Sequence, residues 1–277
     1  MKIKRLLLTS ALSASVIAMS GAAFAGPSAK FAATWNTNSP NIVSMAVIVD
    51  ATADTNVVDT NDGYQLTTIK VPQGKELLVG ISAEIGLTTD TSIKGKNGGT
   101  AKALADGSAW VIVTATPVGG GVPVEAAPGA VMLSSRIQAL EATLGGVIEE
   151  CTDTTGGTDE NGLDPGDDGY IDTPDGTIDV QLECIVSDEE IGLMQDTLAS
   201  HHFNFILPDM DTGEYSIKAH FFTRAEADVD IDEVSVADGG TVSASAFAKA
   251  FVGKSMVTVQ QVRAVEGSLA DVDIVEN

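Results

Sequence analysis

The residues best placed to do chemistry lie between Cys151 and Cys184, a stretch with ten carboxylates and no Lys or Arg. Within it, Asp164, Asp167, Asp168, Asp172 and Asp175 follow one another at short intervals on a Gly-rich segment. Calcium takes six to eight oxygen ligands in flexible geometry, and closely spaced Asp side chains on a Gly-bent loop supply them. The chain's only two cysteines bracket the stretch. In an exported chain a lone pair of cysteines is expected to bond. Closing a loop of about 30 residues in this way is worth ~3–4 kcal/mol in the chain-entropy picture.

The segment Asp164-Pro-Gly-Asp-Asp-Gly-Tyr-Ile-Asp-Thr-Pro-Asp175 resembles the twelve-residue calcium loop of EF-hand and dockerin modules. The resemblance sets Asp164 at position 1, Asp168 at position 5 and Gly169 at the sharp turn. Tyr170 follows at position 7, where a backbone carbonyl serves, with Ile171, Asp172 and Asp175 at positions 8, 9 and 12. It implies a calcium site made by Asp164, Asp168, Tyr170, Asp172 and Asp175. The sequence departs from that pattern at position 3, which is Gly166, and neither flank reads as an EF helix. Asp175-Gly-Thr-Ile-Asp179 repeats the cadence of Asp168–Asp172. The alternative is a solvated acidic loop without an ion.

Other chemistry is sparse. His201, His202 and His220 are the only histidines. A hairpin turning near Asp211 would bring His201 or His202 opposite His220, where paired imidazoles suit a transition metal; otherwise they are partly exposed strand residues. No G-x-S-x-G elbow occurs. Gly253-Lys-Ser255 lacks the upstream Gly of a phosphate loop, because Ala248 stands there. Carboxylate pairs for glycoside hydrolysis exist in any chain this acidic. Aromatics are only 5% of residues, and Trp35 and Trp110 sit in apolar strand patterns that read as core, with a sugar platform as the alternative for each.

The elements that must hold these residues read as β. Short Val/Ile/Thr runs alternate with Gly, Pro and Asn punctuation, as in Leu66–Val71, Glu76–Ile85, Ser108–Thr116, Phe203–Leu207, Tyr215–Arg224 and Ser255–Arg263. Asp54–Gly63 reads as a polar connection. Residues 130–144 fit a helix or a strand equally. Ser187-Asp-Glu-Glu190 fits a capping box, and Ile191, Met194 and Leu198 then share a helical face, predicting a helix over 188–200. Asp211-Thr-Gly-Glu-Tyr215 resembles the D-x-G-x-Y corner of immunoglobulin-like sandwiches, although the Cys expected two residues after the Tyr is Ile217. The expected fold is mainly β: an antiparallel β-sandwich, jelly-roll or immunoglobulin-like, with one or two short helices. One domain over 26–277 carries the acidic, disulfide-closed loop at 151–184 as an insertion.

Met1–Arg5 is basic, Leu6–Met19 mostly apolar, and Ala23-Phe24-Ala25 is an A-x-A-like cleavage site, the pattern of a bacterial signal peptide over residues 1–25. Removing it with Lys2, Lys4 and Arg5 takes the formal charge from -24 to -27. Such a chain repels nucleic acid, whose binding depends on Lys and Arg, and no later run is long enough for a membrane-spanning helix. The expected location is secreted, cell-surface or periplasmic. The first functional expectation is a non-catalytic structural, matrix or appendage protein, stabilised by calcium and the disulfide, whose Ala/Val/Thr/Ser-rich strands suit self-association. The second is a calcium-dependent carbohydrate-binding or adhesive module engaging extracellular glycan, and the third a secreted hydrolase.

Overall fold

In the computed structural model, residues 30–36, 42–51, 54–72, 75–159, 161–164, 166–232 and 240–263 are described. Residues 1–25, which the sequence pattern marks as an expected signal peptide, lie outside them. The described chain is an antiparallel sandwich of unusually long strands. In chain order they are β1 (Phe31–Asn36), β2 (Ile42–Ala51), β3 (Thr55–Val71), β4 (Lys75–Lys96), β5 (Gly99–Pro117), β6 (Val124–Glu125), β7 (Val131–Leu144), β8 (Val147–Cys151), β9 (Cys184–Ser187), β10 (Glu189–Met210), β11 (Gly213–Asp232) and β12 (Thr241–Val262). A 22-residue strand such as β4 spans ~70 Å.

Sheet A runs β1/β2, β12, β4, β10, with β1 and β2 sharing one side of β12 end to end. Sheet B runs β3, β11, β5, with β6 and β7 sharing the far side of β5. Both sheets are held by period-two alternation. On β4 the inward set is Leu77, Val79, Ile81, Ala83, Ile85 and Leu87, and on β11 Ile217, Ala219, Phe221, Ala225, Ala227 and Val229; all are buried. The chain changes sheet at most of its connections. The turn between β4 and β5 has Asn97 and Gly98 both in the left-handed region, at φ 58° and 85°, a pairing that Asn-Gly adopts readily.

The core has two halves. Away from the acidic loop it is packed with Ile, Leu, Val and Phe, among them Leu77, Ile81, Phe205, Ile217 and Phe221. Toward the loop it is lined mostly by alanine: Ala46, Ala101, Ala103, Ala105, Ala225, Ala227, Ala244, Ala246 and Ala248. Between the halves runs a polar waist. Thr89 Oγ1 donates to Gln138 Oε1 at 2.9 Å, and Gln138 Nε2 donates to Thr91 Oγ1 at 2.9 Å and to the Leu193 carbonyl. On the other side Ser44 Oγ lies 2.9 Å from Thr223 Oγ1 and 3.1 Å from the Thr223 carbonyl. Both sets join sheet A to sheet B.

The sandwich agrees with the sequence reading, and three local expectations are corrected. The helix over 188–200 is the first half of β10. Its capping residues work across strands instead: Ser187 Oγ donates to the Val147 carbonyl, and Ser92 Oγ donates to Glu190. Asp188 accepts from Thr241 Oγ1 at 2.8 Å and faces Lys94 at 3.5 Å, and the Thr241 hydroxyl holds its carboxyl below the usual range. The polar connection at 54–63 is the opening of β3, because β11 offers seventeen residues of pairing partner. The strand pair around Asp211 is not a hairpin: β10 pairs with β4, while β11 pairs with β3 and β5. Asp211–Gly213 is thus a corner between sheets, with Tyr215 buried just beyond it. Residues 131–144 resolve as strand β7, and among the described residues the single helical turn is α1 (Val180–Glu183). Among the described residues no helix is long and apolar enough to cross a membrane.

Candidate functional site

The acidic loop hangs from the sandwich on its own two-stranded sheet, β8 with β9. Cys151 and Cys184 face each other in that ribbon and are bonded. Beyond the disulfide the carboxylates act mainly as acceptors for backbone amides. Asp153 takes the amides of Asp175 at 3.1 Å and Gly176 at 2.6 Å, closing the far end of the loop onto its start. Asp159 Oδ1 takes those of Asn161 and Leu163, both at 2.9 Å. Asp167 accepts the Asp164 amide at 3.0 Å, and Asp175 accepts that of Thr177 at 2.6 Å. A carboxylate bonded to amide donors is stabilised in its charged form, so a polyanionic segment holds a defined shape here.

Glu183 is the clearest case. Its carboxylate is buried and accepts the amides of Thr154, of Thr155 at 2.6 Å and of Asp179 at 2.9 Å. The Thr154 amide first, then that of Asp179, pull its pKa from 4.5 to about 2 against the opposing effect of burial. A depressed carboxylate contributes stability that is complete above its unfolded value and is lost as pH falls through the folded one. Exchange protection of the Thr154, Thr155 and Asp179 amides should therefore persist at pH 5 and decay between about 4.5 and 2. In Glu183→Gln it should be weak already at pH 7 and flat across that window. Equal pH dependence in both proteins would refute this role.

The five residues expected to bind calcium are all in this loop but face different tasks. Asp164 lends its carbonyl to the Asp167 amide at 3.0 Å, and its carboxylate lies 3.5 Å from the Thr158 hydroxyl. Tyr170 donates its hydroxyl to the Gly157 carbonyl, and desolvation and the neighbouring Asp172 push that hydroxyl above its ordinary value. Asp175 packs beside Gly156. Among the described residues no three His, Cys, Asp or Glu side chains converge to hold a metal ion. Within the expected ligand set, the Asp175 carboxylate accepts a backbone amide, that of Thr177. One oxygen stands apart: Asp159 Oδ2 is buried and has no hydrogen-bond partner.

The histidine pairing is also corrected. His202 Nδ1 meets Ser82 Oγ at 2.9 Å on sheet A. His220 is on sheet B, with its Nε2 3.3 Å from Asp62. The residues lie in different sheets because the turn at Asp211 crosses between them. Neither tryptophan is core. Trp35 is 67% exposed on β1, and Trp110 faces outward from β5, stacked on Phe222.

Two carboxylate groupings escaped the sequence reading, since their members are far apart in the chain. Asp230 is hydrogen-bonded to Asp54, and that contact raises its pKa; both are exposed, and Asp230 borders a shallow depression of about 250 Å³ with Lys102, Glu141 and Asp232. Asp106 is directly opposite Glu226, which pairs with Arg224, and burial pushes the Asp106 carboxyl up. No protein-family model matches this chain, and comparison with curated proteins finds no relative.

Proposed function

We propose that this chain is a non-catalytic, exported structural protein that associates with its own copies through the open edge of β10. The observation that carries this reading is the stretch Glu190–Leu198, nine consecutive exposed residues in a strand paired on one side only. Its inward-facing Ile191 and Leu193 overhang the other sheet, and its outward-facing Met194 and Leu198 are each 65% exposed. Farther along β10 the edge is covered: Ala127 and Ile206 exchange amide–carbonyl bonds at 2.9 and 3.0 Å. The neighbouring edge strand β7 turns Arg136 inward, where it bonds the Leu87 carbonyl, a device that discourages edge pairing. A long strand edge paired on one side only is a template for another strand; here the contacts from β7 are those of side chains, Gln138 to the Leu193 carbonyl and Arg136 to the Thr197 hydroxyl.

Charge selects a second copy as the occupant. In a chain of net charge -24, Ile191–Leu198 carries one charged residue, Asp196. Antiparallel self-pairing about Met194 sets Asp196 opposite Gly192 and Glu190 opposite Leu198, so no carboxylates meet. Calcium is the ion suited to the disulfide-closed loop, with the unpartnered Asp159 Oδ2 as the oxygen a cation would satisfy first.

Light scattering on the chain after removal of residues 1–25, with and without millimolar calcium, tests the reading. The wild type should form dimers or larger species in a concentration-dependent way. Met194→Lys with Leu198→Lys should leave monomers with an unchanged melting temperature. The same two lysines at Thr68 and Val118 should leave association intact. A wild type that is monomeric in both conditions would end the proposal.

A further inference from the structure

The outer face of sheet B carries a row of rings that the core does not use. In register across the sheet, Phe222 stands between Trp110 and Asp62, and His220 between Ile112 and Tyr64. Trp110 and Phe222 are nearly parallel, 9° apart with centroids at 5.4 Å. His220 meets Phe222 edge-on at 4.9 Å and Tyr64 at 5.9 Å. Lys218 Nζ lies 3.9 Å above the Tyr64 ring. All of these residues are partly or fully exposed, in a chain with only 5% aromatics. Beside the rings is a shallow depression of about 330 Å³, walled by Trp110 and Phe222 and, on β3, by Thr60, Asn61 and Asp62.

The geometry points to this depression as a binding site for a neutral glycan chain. Ring faces beside a carboxylate and a hydroxyl, those of Asp62 and Thr60, suit a ligand that is apolar on one face and hydroxylated at its rim, which describes a pyranose. Its volume is at the small end of ligand sites, about 300–1,000 Å³, and fits a short segment of a chain, not a large cofactor. Anionic ligands are repelled by Asp62 and by the net charge of -24. An apolar peptide would strip water from Asp62 without supplying a donor, which is costly. A second copy is disfavoured because it would bring the Asp62 carboxylates of both molecules to one interface in a chain of net charge -24. The site is independent of the acidic loop: Trp110 is eleven residues along β5 from the loop-proximal Gly99, roughly 35 Å at strand rise. It goes beyond self-association and does not rest on it.

Titration with neutral hexaoses (malto-, cello-, chito- and laminarihexaose) tests this, read by tryptophan emission in a Trp35→Phe background, where Trp110 is the sole tryptophan. At least one sugar should shift the emission, with or without chelator. By calorimetry, Trp110→Ala and Asp62→Ala should each weaken that sugar at least tenfold. Phe222→Leu replaces Trp110→Ala if the latter melts early. Repeating the titration in the Met194→Lys, Leu198→Lys protein separates this site from assembly, since binding should be unchanged there. The inference falls if no hexaose alters the emission or gives heat at about 10 mM, where even a millimolar site is mostly filled. It also falls if binding survives all three ring and Asp62 substitutions.

Discussion

Gln138→Ala should destabilise the sandwich by about 3–5 kcal/mol, as read from urea unfolding. Gln138 is 5% exposed, and its amide serves three partners in one buried place: Thr89, Thr91 and the Leu193 carbonyl. Truncation strands two hydroxyls and a carbonyl at ~1–3 kcal/mol each, less whatever water recovers. The asymmetry of buried hydrogen bonds supplies the control. In Gln138→Leu combined with Thr89→Val and Thr91→Val, donor and acceptor vanish together, and stability should return to within ~1 kcal/mol of wild type. A single substitution costing under ~1 kcal/mol, or a triple variant no better than the single one, would show that the waist does not hold the sheets. The waist also fixes register. Thr89 and Thr91 interrupt an apolar row on β4, and a shift by two residues would set Leu87 or Ile93 against the Gln138 amide.

Reduction of Cys151–Cys184 has the second large effect, and its location is specific. A bridge closing 33 residues is worth about 3–4 kcal/mol on chain entropy. Yet among the described residues the loop hangs from a separate two-stranded sheet, β8 with β9, and an isolated two-stranded ribbon is marginal in water. Cys151→Ser with Cys184→Ser should therefore open the loop locally. Exchange at the Thr154, Thr155, Gly157 and Gly176 amides should accelerate about 10²- to 10³-fold, the same energy expressed as protection. The sandwich itself should melt within a few degrees of wild type. A collapse of the whole transition, with loop and core amides exchanging together, would contradict this division.

The sequence was legible where one face of a strand is buried and the other is wet. Leu66–Val71 and Tyr215–His220 alternate and lie within strands, whereas Ser108–Thr116 was legible by its β-branched run, its outward Trp110 and Ile112 being apolar too. Strand lengths were underread in the alanine-lined half, since Gly99–Asp106 alternates Ala with Lys and Leu and shows little contrast in hydropathy. The first half of β10 was misread as helix for a related reason. From Glu190 to Leu198 both faces are exposed, so burial imposes no period of two, and local helix signals had no competitor. Pairing with β4 decides the structure there. In the loop the disulfide was legible from cysteine count alone. The use of its carboxylates was not, because amide capping by Asp153 or Glu183 depends on residues 20 or more positions away. The outward rings were hidden likewise: Trp110, Phe222 and Tyr64 come together only once β5, β11 and β3 are aligned.

Strand order also bears on how the chain folds. β12 is central to sheet A, pairing with β4 on one side and with β1 and β2 on the other, yet it follows every other strand in sequence. Ala250 bonds in register with Leu87 and with Ser44 across separations of 163 and 206 residues. Such distant pairings must bear their loop-closure entropy before any contact repays it, placing this chain among slow folders. Until β12 docks, the side of β4 that it will occupy is an open apolar edge along a 22-residue strand, with β10 paired on the opposite side. The species most prone to cross-pairing is thus a nearly complete chain whose last strand has yet to arrive.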